Sequence, residues 1–300
     1  MREIRIFKEE YINSIQKLLL ENLNFDTFSE PLLREKILED PDFDPALVLT
    51  CWEGDSLAGF MQGLIRETEG ERIAFLKLFA VSDTHRHKGI ARQLYQTLEA
   101  EFINSGAKSV KIATIPDNYY LPGIDSRYTE AMDFARSLGF RTIAESMNLV
   151  VPLKERDFDT SSEEQDFNKL NFFFSRVTYE QRDQIMGFLA KYFKEWMNEG
   201  ERVYFSYPVS MHIARKGNAI TGFAAHNTNN FGSGWFGPAG VIPEMRGIDL
   251  DVVLLKRCLQ DMKEWEMNQA VIPDVTETSF YESHVQAKVD RRFIKFEKKL

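Results

Sequence analysis

Cysteine is scarce: Cys51 and Cys258 are the only two in 300 residues. That excludes a disulfide framework, and without close Cys/His spacing it also argues against a metal site. No apolar run approaches the roughly 20 residues of a membrane span, and the opening "MREIRIFKEEYINSIQ" is too charged for a secretory signal. The expectation is a soluble, cytoplasmic protein with reduced thiols and no membrane partner. Net positive charge is lacking too. Against 46 Asp+Glu stand 37 Lys+Arg, a formal charge of −9, so nucleic acid is not an expected partner. What remains is an ordinary globular balance, 43% hydrophobic and 28% charged, in a length that suits two domains.

The chain reads as one unit written twice. "EGDSLAGFMQG" (53–63) and "KGNAITGFAAH" (216–226) share the pattern G-[DN]-x-[LI]-x-G-F, each a strand, tight turn and second strand. "AVSDTHRHKGIARQLYQTL" (80–98) aligns with "GVIPEMRGIDLDVVLLKRCL" (240–259), placing Arg86 opposite Arg246. In both, an apolar strand passes through a turn into an amphipathic helix. Ile90, Leu94, Leu98 and Phe102 mark the apolar face of the first; Leu250, Leu254, Cys258 and Met262 mark the second. A strand, a short helix and a closing strand follow in each copy, and the first carries an extra segment, 117–130. The polar stretch 154–168 reads as a linker. The expected domains are therefore 1–153 and 169–300, each α/β (α+β) with a mixed, mostly antiparallel sheet flanked by helices.

The string "THRHKGIARQLY" (84–95) gathers basic side chains at the mouth of a helix in an acidic chain. A helix N-terminus offers unpaired N–H groups and a partial positive charge. Gly89 lets an anion come close, Ala91 keeps the next turn slim, and Arg86, Lys88 and Arg92 add charge, which suits a diphosphate. His85 and His87 have no third ligand nearby, so they read as phosphate neighbours or solvent-exposed groups, not metal ligands.

This arrangement resembles the GNAT superfamily of acyl-CoA-dependent N-acyltransferases. The turn pattern [QR]-x-x-G-x-[GA] is met by Arg86-His87-Lys88-Gly89-Ile90-Ala91, and the distal A-x-x-F…GF by Ala131, Phe134, Gly139 and Phe140. The likeness spans about 1–150, with 170–300 as a degraded second copy. It implies that acetyl-CoA is the co-substrate, its diphosphate on residues 86–92 and its pantetheine arm along the strand at Phe79, Ala80 and Val81. That strand is expected to splay from 109–115, with Asn118 at the end of the second strand reaching the cofactor. It further implies acetyl transfer to an amine, on a small molecule or a peptide, by direct attack in a ternary complex.

The second copy carries Asp249 and Asp251 at the two small-residue positions, Gly89 and Ala91 in the first. An aspartate beside a phosphate is repulsive by several kcal/mol, on the order of ~4 at 4 Å and an effective dielectric near 20, so this copy is not expected to bind coenzyme A. Asp249 reads instead as a side-chain N-cap. Many relatives place a tyrosine acid on the last helix; here that position is Ala135, and its second-copy counterpart is Tyr281, which reads as a packed aromatic remnant or a surviving acid. Candidate catalytic groups are Glu69 (with Glu67 and Glu71 in the same turn) as base, and Tyr120 and Tyr128 in the extra segment. The leading reading is an N-acetyltransferase; the rival is an acyl-CoA-binding sensor or assembly module without turnover.

Overall fold

The computed structural model describes residues 2–68 and 70–300. The chain forms two compact units, Met1–Ser146 with Phe293–Leu300, and Met147–Arg292.

The first unit begins with β1 (Arg2–Ile6), α1 (Ile12–Asn22), α2 (Glu30–Ile37), β2 (Val48–Glu53), β3 (Ser56–Thr68) and β4 (Glu71–Val81). Next come α3 (Ile90–Asn104), β5 (Ser109–Ile112), β6 (Ile124–Asp125), α4 (Thr129–Ser137) and β7 (Arg141–Pro152). Strands β1 to β4 pair antiparallel in sequence order, and β4 then pairs parallel with β5. The apolar face of α3 lies on one side of this sheet, with Leu94, Leu98 and Phe102 fully buried. Gly59 in β3 permits that approach: a Cβ there would sit 2.7 Å from the Ile90 side chain. On the opposite side, α1 and α2 pack Ile15, Leu19 and Leu33 against Phe60, Leu78 and Ala80.

The second unit holds α5 (Ser161–Lys169), β8 (Phe172–Arg176), α6 (Arg182–Tyr192), α7 (Met197–Arg202), β9 (Met211–Lys216), β10 (Ala219–His226) and β11 (Phe236–Val241). These lead to α8 (Leu250–Glu264), β12 (Gln269–Val275), α9 (Ser279–Val285) and β13 (Lys288–Lys299). Its sheet runs β11-β10-β9-β8, all antiparallel. Gly222, the counterpart of Gly59 in the repeated motif, has the same role: a Cβ would lie 3.3 Å from Leu254 of α8.

The closing strands follow a path that sequence order does not reveal. Met147–Pro152 of β7 pairs with β12 in the second unit. Phe296–Lys299 of β13 pairs with β5, and Phe293–Ile294 with β6, in the first. Both closing strands mix apolar and polar residues without strict alternation, so pattern alone does not say which sheet each joins. The stretch 154–168, expected as a linker, is helical from Ser161 as α5. Its polarity concealed it because it is held by ion pairs, Glu163–Lys256 at 2.5 Å and Glu164–Arg257 at 2.7 Å, together with Phe167 against Phe172 and Phe174.

A charged hub lies inside the second unit. Asp261 of α8 accepts from His212 at 2.8 Å and His226 at 3.1 Å, and pairs with Arg176. Burial pulls the Asp261 carboxyl up, but the donated hydrogen bonds and cationic neighbours hold it well below the usual carboxylate range. Burial lowers His212 in turn.

Candidate active site

The site begins with a fault in β4. Gly63 pairs with Leu76 and Gln62 with Leu78, so Lys77 is an extra residue, a β-bulge. Before it, Ala74 and Leu76 face the α3 core; after it, Phe79 and Val81 do so, while Leu78 and Ala80 face α1 and α2. Pairing with β5 ends at the same place. Leu76 matches Ile112, and Ala113 N–H donates to the Leu76 carbonyl at 2.8 Å. Strand β4 runs on to Val81 while β5 stops at Ile112. The result is a splayed cleft of about 750 Å³, in which Lys77–Val81 and Ile112–Ala113 are opposite walls.

One end of the cleft is the basic turn. Gly89 is the N-cap of α3 at φ +82°, with no side-chain cap and no acidic residue in the first turn. A Cβ on Gly89 would meet nothing within 4 Å, so this bend opens onto free space. Phe79, Ala80, Val81, Arg86, His87, Gly89, Ile90, Ala91 and Arg92 all line the cleft. The turn is braced from several sides. Arg86 pairs with Glu130 at 2.7 Å, Arg92 donates to Ser137 Oγ at 3.1 Å, and Lys88 Nζ donates to the Thr84 carbonyl at 2.7 Å. His85 Nε2 sits 2.7 Å from Glu53, and that bond holds the Glu53 carboxyl below its ordinary range. Among the described residues no group of three or more His, Cys, Asp or Glu is placed to hold a metal ion.

Asn118 does not join this group. It is fully buried, with Nδ2 donating to the Glu35 carbonyl at 2.9 Å and Oδ1 accepting from Lys36 at 3.1 Å. At φ +49° the backbone there bends in a left-handed turn, which sends the side chain under α2 and away from the cleft. The same buried patch contains Asp40, which pairs with Lys77 at 2.5 Å and with Arg66 at 2.7 Å. Burial lowers the Lys77 ammonium to about 8 even with Asp40 opposing it. Lys77 shows in sequence only as a polar residue in an apolar run, and Asp40 only as one of several acidic residues in a loop.

Glu69 lies outside the described residues. Glu67 stands opposite Arg72 in the β3–β4 hairpin and is not part of the cleft wall. Tyr120 and Tyr128 do line the cleft, and they converge on Asp26, a residue sequence reading passed over. Tyr128 OH donates to Asp26 Oδ2 at 2.6 Å and accepts from Phe25 N–H at 3.0 Å; Tyr120 OH lies 3.2 Å from the Thr27 carbonyl and 3.4 Å from Asp26 Oδ1. Asp26 sits in an ordinary polar loop between α1 and α2, where no motif marks it. Ala135 is fully buried in the α3–α4 core.

The corresponding turn of the second unit has the same backbone with different chemistry. His87 and Gly89 have φ of +59° and +82°; Gly247 and Asp249 have +78° and +59°. Asp249 is the N-cap residue of α8, but its side chain makes no capping bond. The left-handed backbone explains this departure from the expected cap, since side-chain capping uses an extended N-cap. Tyr281 packs edge-on against Phe280 at 5.0 Å, and burial raises its phenol.

Residues 13–121, which span α1, the splay and the Gly89 turn, match the model of the acetyltransferase (GNAT) family. The matched segment lies within the first unit, which is therefore similar to GNAT acetyltransferases over those residues. The chain as a whole has the tandem GNAT fold: a tandem GNAT protein from the clavulanic acid biosynthesis pathway superposes with a TM-score of 0.67 at 13% identity, over 100% of this chain and 98% of that one. A GCN5-related N-acetyltransferase from Sphaerobacter thermophilus is similar at TM-score 0.73 and 13% identity, covering 99% and 95% of the two chains. The GCN5-related glucosamine N-acetyltransferase region of a fungal multi-domain GH3 β-N-acetylglucosaminidase is similar at TM-score 0.84 and 15% identity over 99% of this chain. The present chain spans 38% of that fungal protein. At these identities the likeness is one of fold. Among curated proteins none matches the chain in sequence.

Proposed function

We propose that the first unit binds acetyl-CoA in the splayed cleft and transfers the acetyl group to an amine on a small molecule or peptide, by direct attack with both substrates bound. The observation that carries this is the run of one cleft from the divergence of β4 and β5 to the uncapped, acid-free N-terminus of α3 at Gly89. The residues fit the ligand. Backbone N–H groups of the turn, with Arg86, Lys88 and Arg92 around them, suit a diphosphate. The edge of β4 at Phe79–Val81 suits the amide-bearing pantetheine arm.

Acetyl-CoA, when bound, supplies an activated acyl thioester. The protein's share is to align the amine with it, to place a backbone N–H near Phe79 or Ala80 against the carbonyl oxygen, and to exclude water from the meeting point. Tyr120, Tyr128 and Asp26 line the same cleft, where the α1–α2 loop meets the extra segment. Their presence favours turnover over a purely binding role, the reading that the buried Ala135 would otherwise support. The second unit, with Asp249 and Asp251 at its turn, is proposed to bind no coenzyme A. Two buried free thiols accord with a reducing compartment. The fungal relative's named acceptor, glucosamine, belongs among the amines to be tried. The test is thiol release from acetyl-CoA across an amine panel with calorimetry of acetyl-CoA alone; absence of acetyl-CoA binding would refute the reading.

A further inference from the structure

We infer that Asp40 is a positioning residue that sets the width of the cleft: it ties both cleft walls to the end of α2 and so fixes the gap into which the thioester arm fits. This deepens the acetyl-transfer reading above and rests on it.

Each wall is tied through its own cation. On the β4 side the bulge breaks the alternation of the strand, and Lys77 turns to the same side as Leu78, towards α1 and α2. There Lys77 Nζ donates to Asp40 Oδ2 at 2.5 Å. On the β5 side the chain leaves the strand through Ala113, left-handed at φ +55°, and runs to Asn118 under α2. Arg66 of β3 reaches this stretch and donates to the carbonyls of Pro116 and Asp117, the latter at 3.1 Å. The same guanidinium pairs with Asp40 Oδ1 at 2.7 Å and with Asp42 at 2.6 Å. Asn118 Nδ2 adds a longer contact to Asp40 Oδ2 at 3.4 Å. The two oxygens of one carboxylate thus take one cation each, and each cation holds a different wall. The Asp42 N–H donates to Oδ1 at 3.0 Å and orients the carboxylate itself.

Stability alone is a poor reason for this arrangement. The Lys77 and Asp40 side chains are 0% and 1% exposed. A buried ion pair is often no better for a fold than apolar side chains of the same volume; what it adds is one fixed geometry. Here that geometry lies where Leu76 and Ile112 end the pairing of β4 with β5, the point from which the walls diverge.

Two variants release one wall each. Lys77→Met frees β4 and leaves Asp40 with Arg66. Arg66→Lys keeps a cation for Asp40 but lacks the planar fork that also reaches the two carbonyls. Calorimetry reads the affinity of each protein for acetyl-CoA and for its nucleotide half, 3′-phospho-ADP, which has the diphosphate without the arm; a thermal melt accompanies both. The parent should bind acetyl-CoA more tightly than the nucleotide. In each variant nucleotide affinity should stay within about twofold of the parent, while acetyl-CoA affinity falls about tenfold or more. Either variant decides, so misfolding of one leaves the other to test the inference. An unchanged acetyl-CoA affinity in a folded variant, equal loss of both ligands, unfolding of both variants, or a parent that binds the two ligands equally would overturn this inference alone. Failure of the parent to bind acetyl-CoA would overturn the proposed function with it.

Discussion

Gly89 and Asp249 hold the same left-handed backbone at the same place in the two copies, at φ +82° and +59°. The bend therefore accepts a carboxylate-bearing residue, and a Cβ at Gly89 meets no neighbour within 4 Å. Gly89→Asp should lose only about 1–2 kcal/mol of stability from the conformation, a melting shift of several degrees. Its carboxylate would repel a diphosphate by on the order of 4 kcal/mol at close range, before solvent screening. The expected outcome is a folded protein whose acetyl-CoA affinity falls about a hundredfold or more, whereas Gly89→Ala stays within about tenfold of the parent. Calorimetry beside a thermal melt checks both.

Tyr128→Phe removes one hydroxyl that both donates to Asp26 and accepts from Phe25 N–H. Two hydrogen bonds at a part-buried site are worth about 1 kcal/mol each. The expected result is a fall in kcat/KM of roughly ten- to thirtyfold with acetyl-CoA affinity unchanged. Steady-state kinetics with the best acceptor provides the check. An equal fall in acetyl-CoA affinity would place the residue's role elsewhere.

Phe296 lies in the last strand of the chain yet is fully buried in the core under α3 and α4. Phe296→Ala should destabilise the first unit by about 3–5 kcal/mol. A fragment ending at residue 153 lacks this strand and should melt well below the full chain; appending residues 288–300 through a flexible linker should restore much of the difference. Circular dichroism melts of the fragments decide it. Equal melting temperatures would contradict the observed pairing of β13 with β5.

The Asp261 hub makes acid the weak side of the second unit. Folding depresses both Asp261 and His212. Groups with lowered folded values stabilise above their unfolded values and lose that contribution as pH falls. Loss should therefore begin below about pH 6.5, the ordinary histidine value, and steepen below about pH 4. Asp261→Asn should cost about 3 kcal/mol, the low end for a broken buried pair, because Arg176 keeps 27% side-chain exposure. Melts from pH 8 to 3 on parent and variant provide the test; a variant equally stable at pH 7 would contradict the account.

Much of the fold was legible because it was written twice. The G-F glycines at Gly59 and Gly222 recur for a shared steric reason, the close approach of α3 and α8. The basic turn was legible through Gly89 and its charged neighbours. Asp26 was not, since a single carboxylate in a polar loop has no periodicity and gains meaning only when Tyr120 and Tyr128 arrive from about a hundred residues away. Asn118 misled because its place in sequence beside the splay says nothing about which face a left-handed turn gives it. The partners of β7 and β13 stayed hidden because their pattern fits either sheet. The helix α5 was obscured by a composition that matches a linker, its stability coming from Lys256 and Arg257 on a distant helix.

The most direct measurement is a crystal structure of the full chain with acetyl-CoA. The account predicts the diphosphate on the backbone N–H groups at Gly89–Arg92 and the thioester between Phe79 and Ala113, within reach of Asp26 and Tyr128. Ligand bound at the Asp249 turn, or anywhere outside the β4–β5 cleft, would contradict it.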